Sequence, residues 1–399
     1  MRILFLSTWF PYPPDNGSKI RVYHLLRALA QRHEVTLLSF AWNTAQPQAA
    51  SELRSWFRDV QVMSLNPYEH NRASKLRTFF SLRPVVSRPI AAMTEKAHAI
   101  LANQSFDSVI ASTEMMAAYA FQAPPGTVRI LEEHNAMTRL MRERYDEQPR
   151  PLERLRCWLS WQKSRTYEAR LFRRFDVITM VSEQDREACL SDLPGFHGRV
   201  AVIPNGVDCA HHRPGLAEVQ PHTLIYNGAL TYSANYDAMR YFLAEIYPRI
   251  QQELPDVSLS ITGSTRGVDL SALPLDASVH LTGYVEDIRL PVAASAVCAV
   301  PLRQGGGTRL KILEAMALGT PVVATSKGAE GLAVVDGEHL LLADDPAAFA
   351  AATLRLLREP ALRARLATNA RRLVEERYDW SRIGAQFVEL VENVYHEGH

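Results

Sequence analysis

Residues 299–325, AVPLRQGGGTRLKILEAMALGTPVVAT, hold the densest set of groups able to bind an anion. An apolar run over 297–302 stops at three consecutive glycines, Gly305, Gly306 and Gly307. A helical pattern opens at Thr308 and ends at Gly319, and a second apolar run follows at once. That order reads as strand, glycine loop, helix, strand. The glycines let the backbone approach a ligand, and the helix start offers unpaired N–H groups and a positive dipole end. Arg309 and Lys311 add cations in the first turn, where cations are otherwise disfavoured, so an anion is the expected compensation. Glu314 lies three residues beyond Lys311, on the same helical face. Two cations, free amides and one carboxylate on one rim suit a nucleoside-diphosphate sugar, with phosphates on the cations and ribose hydroxyls on the carboxylate. A solvated helix face after an ordinary turn would use the same residue types. Their coincidence with the glycines at the carboxyl end of a strand favours the ligand.

The elements that must position this loop repeat along the chain. The first half opens with a strand at 3–8, a loop at 9–18, a helix at 19–30 and a strand at 34–40. Val22, Leu25, Leu26 and Leu29 form the apolar side of that helix. Short apolar runs at 60–64, 108–112, 128–132, 177–182 and 200–204 continue the series, with helical segments between them, so the sheet is expected to be parallel. The second half starts again with a strand at 223–226, the turn Asn227-Gly228 and a helix from about Asn235. Further strands are expected at 258–262, 279–282, 297–302, 321–325 and 339–342, then helices over 346–376 and 380–395. Near-continuous apolar runs fit strands buried on both faces. The Asp344-Asp345 pair before Pro346 reads as a helix cap. The fold class is α/β: two doubly wound, Rossmann-like domains facing each other across a cleft. The boundaries are 1–206, 207–376 and a final helix, 377–399, returning to the first domain.

Composition narrows the class. The 399 residues exceed one compact core, and a hydrophobic fraction of 47% with 22% charged residues is that of a soluble globular chain. A formal net charge of +1 gives no overall pull toward nucleic acid. Cys157, Cys189, Cys209 and Cys298 lack paired spacing, which argues against a zinc site and fits a reducing, cytoplasmic compartment. The short apolar start MRILFLSTWF runs into Pro11, Pro13 and Pro14 and reads as a buried strand rather than a signal peptide. Residues 139–174 carry eleven Arg or Lys against five Asp or Glu. An ordinary long helix with a basic solvated side is the favoured reading there, and peripheral contact with an anionic membrane is the other. Position 310 is leucine, so the loop lacks the third glycine of a dinucleotide fingerprint. A Walker-type phosphate loop, a GxSxG elbow, an HExxH helix and a DxD pair after a strand are all missing from the sequence.

Several segments, in this order and spacing, resemble retaining glycosyltransferases of family 4. They are the opening PPDNGSKIRVYHLLRALAQRHEVTLL, Val181-Ser182 with Asp185, Ile203-Pro204-Asn205-Gly206-Val207-Asp208, the segment VHLTGYV at 279–285, and LEAMALGTPVVAT with Glu314. The resemblance implies the GT-B fold. Gly306 stands eight residues before Glu314, where the family's Glu-x7-Glu motif has its first glutamate, so the likeness is to a subgroup lacking it. The loop after Gly228, ALTYSANYDAMRYF, also lacks the lysine that many members place there.

The resemblance implies transfer of a glycosyl group from a UDP- or GDP-linked sugar to a hydroxyl acceptor, with retention. Because no DxD pair is present and Arg and Lys can neutralise the diphosphate, no metal or other cofactor is expected. The acceptor would be a glycan, a lipid-linked or a small molecule, and nucleic acid is no partner. Lys311, Glu314 and His134 are the catalytic candidates. Gly17, Gly228, Val285, Arg303, Gly305, Gly306, Gly307, Thr308 and Arg309 join Lys311 and Glu314 on the donor side. Asp15, Asn16 and Glu133 are the weaker acceptor-side candidates, and an ordinary surface-loop role is the favoured reading of each. A sugar-nucleotide epimerase or hydrolase of the same fold, and a non-catalytic nucleotide-sugar-binding subunit, remain as alternatives.

Overall fold

The computed structural model describes residues 1–42, 51–69 and 89–398. The chain divides into two units, one formed by Met1–Pro204 with Ile383–His399 and the other by Asn205–Arg382.

The first unit holds a seven-stranded parallel sheet. In chain order its strands are β1 (Arg2–Ser7), β2 (Glu34–Ala41), β3 (Asp59–Ser64), β4 (Ser108–Ser112), β5 (Val128–Glu132), β6 (Val177–Met180) and β7 (Arg199–Val202). Across the sheet the order is β3-β2-β1-β4-β5-β6-β7. The second unit holds six parallel strands, β8 (Gln220–Asn227), β9 (Ser258–Thr262), β10 (Val279–Gly283), β11 (Ser295–Val300), β12 (Val322–Ala324) and β13 (Leu341–Leu342). They lie in the order β10-β9-β8-β11-β12-β13. Each sheet therefore reverses direction once, at β1/β4 and at β8/β11. Loops leave those two strand pairs in opposite directions, and ligands of open α/β sheets bind in the crevice this creates. The expected Rossmann-like α/β class is what the fold shows. Every residue of β11 is buried, as is every residue of β1 after Arg2, because helices cover both faces of a parallel sheet.

Caps account for several boundaries. Asn16 accepts a hydrogen bond from the Lys19 N–H and starts the helix Gly17–Ala30. Ser182, expected as the end of a strand, instead caps the helix Glu183–Asp192 by accepting from the Asp185 N–H. Asp345 caps the helix Pro346–Arg358, whereas Asp344 accepts from Ser326. The expected helical tract from 346 breaks at Glu359, and Pro360 begins a new helix, Pro360–Arg377. The basic segment is largely the helix Pro151–Phe172, whose Leu152, Leu155, Trp158 and Leu159 are exposed.

The last helix, Trp380–Gly398, buries Ile383, Phe387, Val388 and Val391. From Ile383 onward it belongs to the first unit, where Gln386 donates to the Val202 carbonyl and Glu392 pairs with His33. A Cβ added at Gly384 would stand 2.6 Å from the Ala28 Cβ, so this helix lies directly on the helix Gly17–Ala30. Gly384→Val should therefore destabilise the protein by about 1–3 kcal/mol through overpacking. Thermal unfolding measures it, and Ala28→Gly in the same chain should recover part of the loss. An unchanged melting temperature would contradict this packing.

Candidate functional site

In the second unit, chemistry gathers where β8 and β11 part. Gly228 follows β8, and the glycine loop follows β11. Gly305 and Gly307 have φ of 102° and 74°, a left-handed backbone that favours glycine. These turns keep the chain out of helical geometry until Leu310, two residues later than Thr308 was expected to start it. The helix Leu310–Leu318 closes at Gly319, with φ of 77°.

Arg309 differs from the free phosphate cation expected from its position. It is 8% exposed, and its guanidinium donates to the carbonyls of Gly305 at 2.6 Å, Gly307 at 2.9 Å and Gly306. It clasps the loop from within. Arg303 is also diverted: it pairs with Asp237 at 2.8 Å and lies over the Tyr241 ring. Both corrections have one cause, since charge is legible in a sequence but the direction of a long side chain is not.

Lys311 is the cation left at the centre. Its Nζ donates to Asn235 Oδ1 at 3.0 Å and lies 3.9 Å from the centroid of the Tyr226 ring. Burial pulls its pKa down to about 7, with Arg309 pushing the same way and Cys298 and Glu314 opposing. A Cβ at Gly228 would come within 2.6 Å of this Nζ and 2.9 Å of Asn235 Nδ2. Any side chain at Gly228 would push these two side-chain ends aside. Glu314 accepts from Asn227 Nδ2 at 3.0 Å, and burial raises its pKa against the opposing pull of Lys311. The Thr308 hydroxyl is buried without a hydrogen-bond partner. Gly283, with φ of 68°, turns the chain after β10, leaving Tyr284 79% exposed and Val285 half-buried.

In the first unit the corresponding place is the carboxyl ends of β1, β4 and β5. His134 Nε2 lies 3.1 Å from both Glu132 Oε2 and Ser112 Oγ, and its Nδ1 lies 3.2 Å from Ser18 Oγ. A proton on Nε2 serves Glu132 and leaves Nδ1 to accept from Ser18. Glu132 is wholly buried and also pairs with Arg21, which donates in turn to the Pro204 carbonyl. Burial works to raise the Glu132 pKa, but Arg21 and His134 outweigh it and hold the carboxyl below the usual range. Thr113, at the end of β4, has φ of 74°, a strained conformation for a β-branched residue. Its hydroxyl meets that of Thr8 at 3.0 Å.

The acceptor-side candidates separate. Asn16 is spent as the cap of the helix Gly17–Ala30, Asp15 pairs with Lys19 at 2.9 Å, and Gly17, a donor-side candidate, opens that helix beside Ser18. Glu133 is not a surface-loop residue. It is 5% exposed, turns away from the His134 network and lines a cavity of about 10 Å³ with Glu114 and Glu168. Successive strand-end side chains point to opposite faces, so Glu132 and Glu133 serve different sites. Sequence reasoning missed Tyr226, Asn227, Asn235, Arg21, Ser112 and Glu132. Only Asn227 and Asn235 had carried a signal, as polar residues at a strand end and a helix start. Among the described residues no group of three or more His, Cys, Asp or Glu could hold a metal ion, and no helix is long and apolar enough to cross a membrane.

The profile named Glycosyltransferase Family 4 matches residues 15–211, and the profile named Glycosyl transferases group 1 matches residues 221–359. The chain belongs to glycosyltransferase family 4. It is a glycosyltransferase, and its two Rossmann-like units are those of the GT-B fold. This glycosyltransferase is 26% identical to the MMP alpha-(1->4)-mannosyltransferase of Mycolicibacterium hassiacum, over 98% of each chain. It is 31% identical to the phosphatidyl-myo-inositol mannosyltransferase of Mycolicibacterium smegmatis, in a match covering 58% of this chain and 59% of that one. The solved structure of HepE from Anabaena in complex with UDP-glucose superposes with a TM-score of 0.67 at 18% identity, over 98% of this chain and 100% of that one.

The Glu133 cavity has a measurable consequence. Burial raises the pKa of Glu133 well above its ordinary value, and Glu114, Glu168 and Glu132 raise it further. An unfolded glutamate ionises from about pH 4.3, whereas the folded one stays protonated until higher pH, so this group's contribution to stability declines across that window as pH rises. Glu133→Gln should raise the melting temperature, and by more at about pH 8 than at about pH 5. A gain that is the same at both would mean that Glu133 ionises normally.

Proposed function

We propose that this enzyme transfers a sugar from a nucleoside-diphosphate sugar to a hydroxyl acceptor, with retention at the anomeric carbon, in the synthesis of a glycan, polysaccharide or glycoconjugate. The observation that carries this reading is the loop at the β8/β11 reversal. There Gly228, Lys311, Glu314 and an unpartnered Thr308 hydroxyl converge at the start of one helix. The HepE complex, which carries UDP-glucose on the same fold, supports a donor of that kind.

In this reading the donor diphosphate takes the amides of Gly305–Gly307, the Thr308 hydroxyl and Lys311. Glu314 holds the ribose, and the turn at Gly283 and Val285 meets the base. Arg309 acts by holding the loop carbonyls inward, so that the amides are free to face outward. The bond from the anomeric carbon to the diphosphate oxygen breaks first. The acceptor oxygen then bonds to the same face of that carbon, and its proton passes to the departing diphosphate. Lys311 stabilises the charge that develops on the leaving group, the kind of term that dominates such transfers. His134, locked by Glu132 and Ser18, is the candidate for orienting a sugar hydroxyl. No residue in this scheme serves as a metal ligand, so the transfer is proposed to need no metal.

Calorimetry with UDP and GDP tests the donor site. Lys311→Ala should weaken the preferred nucleotide by about 1.5–3 kcal/mol, as expected for loss of a charged hydrogen bond. Lys311 loses its proton near pH 7 in the free protein. Wild-type affinity should therefore fall as pH rises above neutrality, and the variant should lose that dependence. Equal affinity in wild type and variant would remove Lys311 from the site.

Glu314 has its own test. Wild type should prefer a ribose to a 2′-deoxyribose diphosphate, and Glu314→Gln should narrow that preference. A wild type that does not discriminate would overturn the ribose assignment.

A further inference from the structure

Three aromatic rings stand together at the carboxyl edge of the first sheet and have no part in the site described above. Trp9 follows β1, Trp42 directly follows β2, and Tyr68 lies in the loop after β3. These strands are neighbours in the sheet, so residues far apart in sequence meet at one edge. The Trp9 and Trp42 ring centroids are 4.1 Å apart, Trp42 and Tyr68 are 5.3 Å apart, and Trp9 and Tyr68 are 5.8 Å apart. Each ring is thus in contact with the other two. The Trp9 side chain also hydrogen-bonds the Tyr68 hydroxyl, and the Ser7 hydroxyl donates to the Trp9 carbonyl at 2.6 Å. The cluster is ordered by its own contacts, yet Trp42 and Tyr68 each remain 40% exposed.

Ordered aromatic surface left open to water at a sheet's carboxyl edge is the usual lining of a ligand site. The rings also say what kind of ligand. Trp and Tyr present flat apolar faces and polar N–H or O–H edges. A pyranose has the matching form, with C–H groups on a face and hydroxyls around the rim. An aliphatic chain would match the faces but leave the Trp42 N–H, which is not engaged within the trio, unanswered. Asn66 and Glu69, beside Tyr68 in the loop after β3, supply further polar groups around it.

We propose that Trp9, Trp42 and Tyr68 form an acceptor subsite, and that the acceptor of this enzyme is itself a sugar, stacked by one ring face on this platform. The proposal rests on the proposed function, in which the donor takes the second unit and the acceptor is therefore assigned to the first. It narrows that acceptor from any hydroxyl compound to a glycoside or oligosaccharide.

Saturation-transfer difference NMR on the full chain tests it, with a panel of methyl hexopyranosides and short oligosaccharides as probes and UDP calorimetry run on the same samples. At least one glycan should bind wild type, with the strongest transfer on the C–H protons of one ring face. Trp42→Ala should weaken that glycan by at least about tenfold, while Trp42→Phe, which keeps a ring, should stay within about threefold. UDP affinity should be the same in all three proteins. Circular dichroism checks folding, and Tyr68→Leu replaces Trp42→Ala if the latter does not fold. A glycan that binds wild type and Trp42→Ala equally overturns the proposal. So does a panel that fails to bind wild type, and so does binding of lipid vesicles in place of glycans. Loss of UDP binding with intact, Trp42-dependent glycan binding would sink the donor assignment and leave the platform standing.

Discussion

The ammonium group of Lys311 shapes much of the second unit's site. It is held between the Tyr226 ring and the Asn235 carboxamide, with Glu314 one helical turn away. A buried cation is costly unless its surroundings are polar and fixed. The structure answers with a chain of partners: Asn235 accepts from both Lys311 and Tyr226 Oη, and donates to the Ala229 carbonyl. A side chain at Gly228 would displace the ammonium and the carboxamide from these positions. Burial is the main reason that Lys311 stands poised near neutrality, and Arg309, which turns back into the glycine loop, adds repulsion in the same direction. An anion arriving at this helix start would relieve both costs.

The first unit solves a similar problem with a carboxylate. Glu132 is buried at the end of β5, and Arg21, His134 and Ser112 all reach it. Breaking such a pair from one side leaves an uncompensated charge and costs about 3–5 kcal/mol, so these residues form one unit in energetic terms. His134 takes its orientation from that unit. Its neighbour Glu133 faces the other way, into a cluster with Glu114 and Glu168. That contrast separates a carboxylate kept ionised from one kept protonated, although the two are adjacent in the chain.

Both units place their polar chemistry at the carboxyl ends of parallel strands, and both do so at the strand pair where the sheet order reverses. The helices that cover each sheet leave that edge open, and the loops there are free to carry glycines, strained residues such as Thr113, and aromatic rings such as Trp9 and Trp42. The interior sets the address, and loop composition sets what is bound.

Features held within a few residues were legible in the sequence. The alternation of short apolar runs with helical spacing determined two parallel α/β units, because strands buried on both faces leave near-continuous hydrophobic segments. The glycine loop, Lys311 and Glu314 were legible for the same reason: one turn of helix brings them together whatever the rest of the chain does. What only the tertiary structure decided lies across long separations. Lys311 meets Asn235 across 76 residues, Arg21 meets Glu132 across 111, and His134 meets Ser18 across 116. Strand order creates those meetings, and no local pattern encodes strand order. Side-chain direction was equally hidden. Arg303 and Arg309 carried the right charge in the right loop, but an acidic neighbour and three carbonyls drew them elsewhere. A long cation follows the nearest strong acceptor, and which acceptor is nearest is known only once the chain has folded.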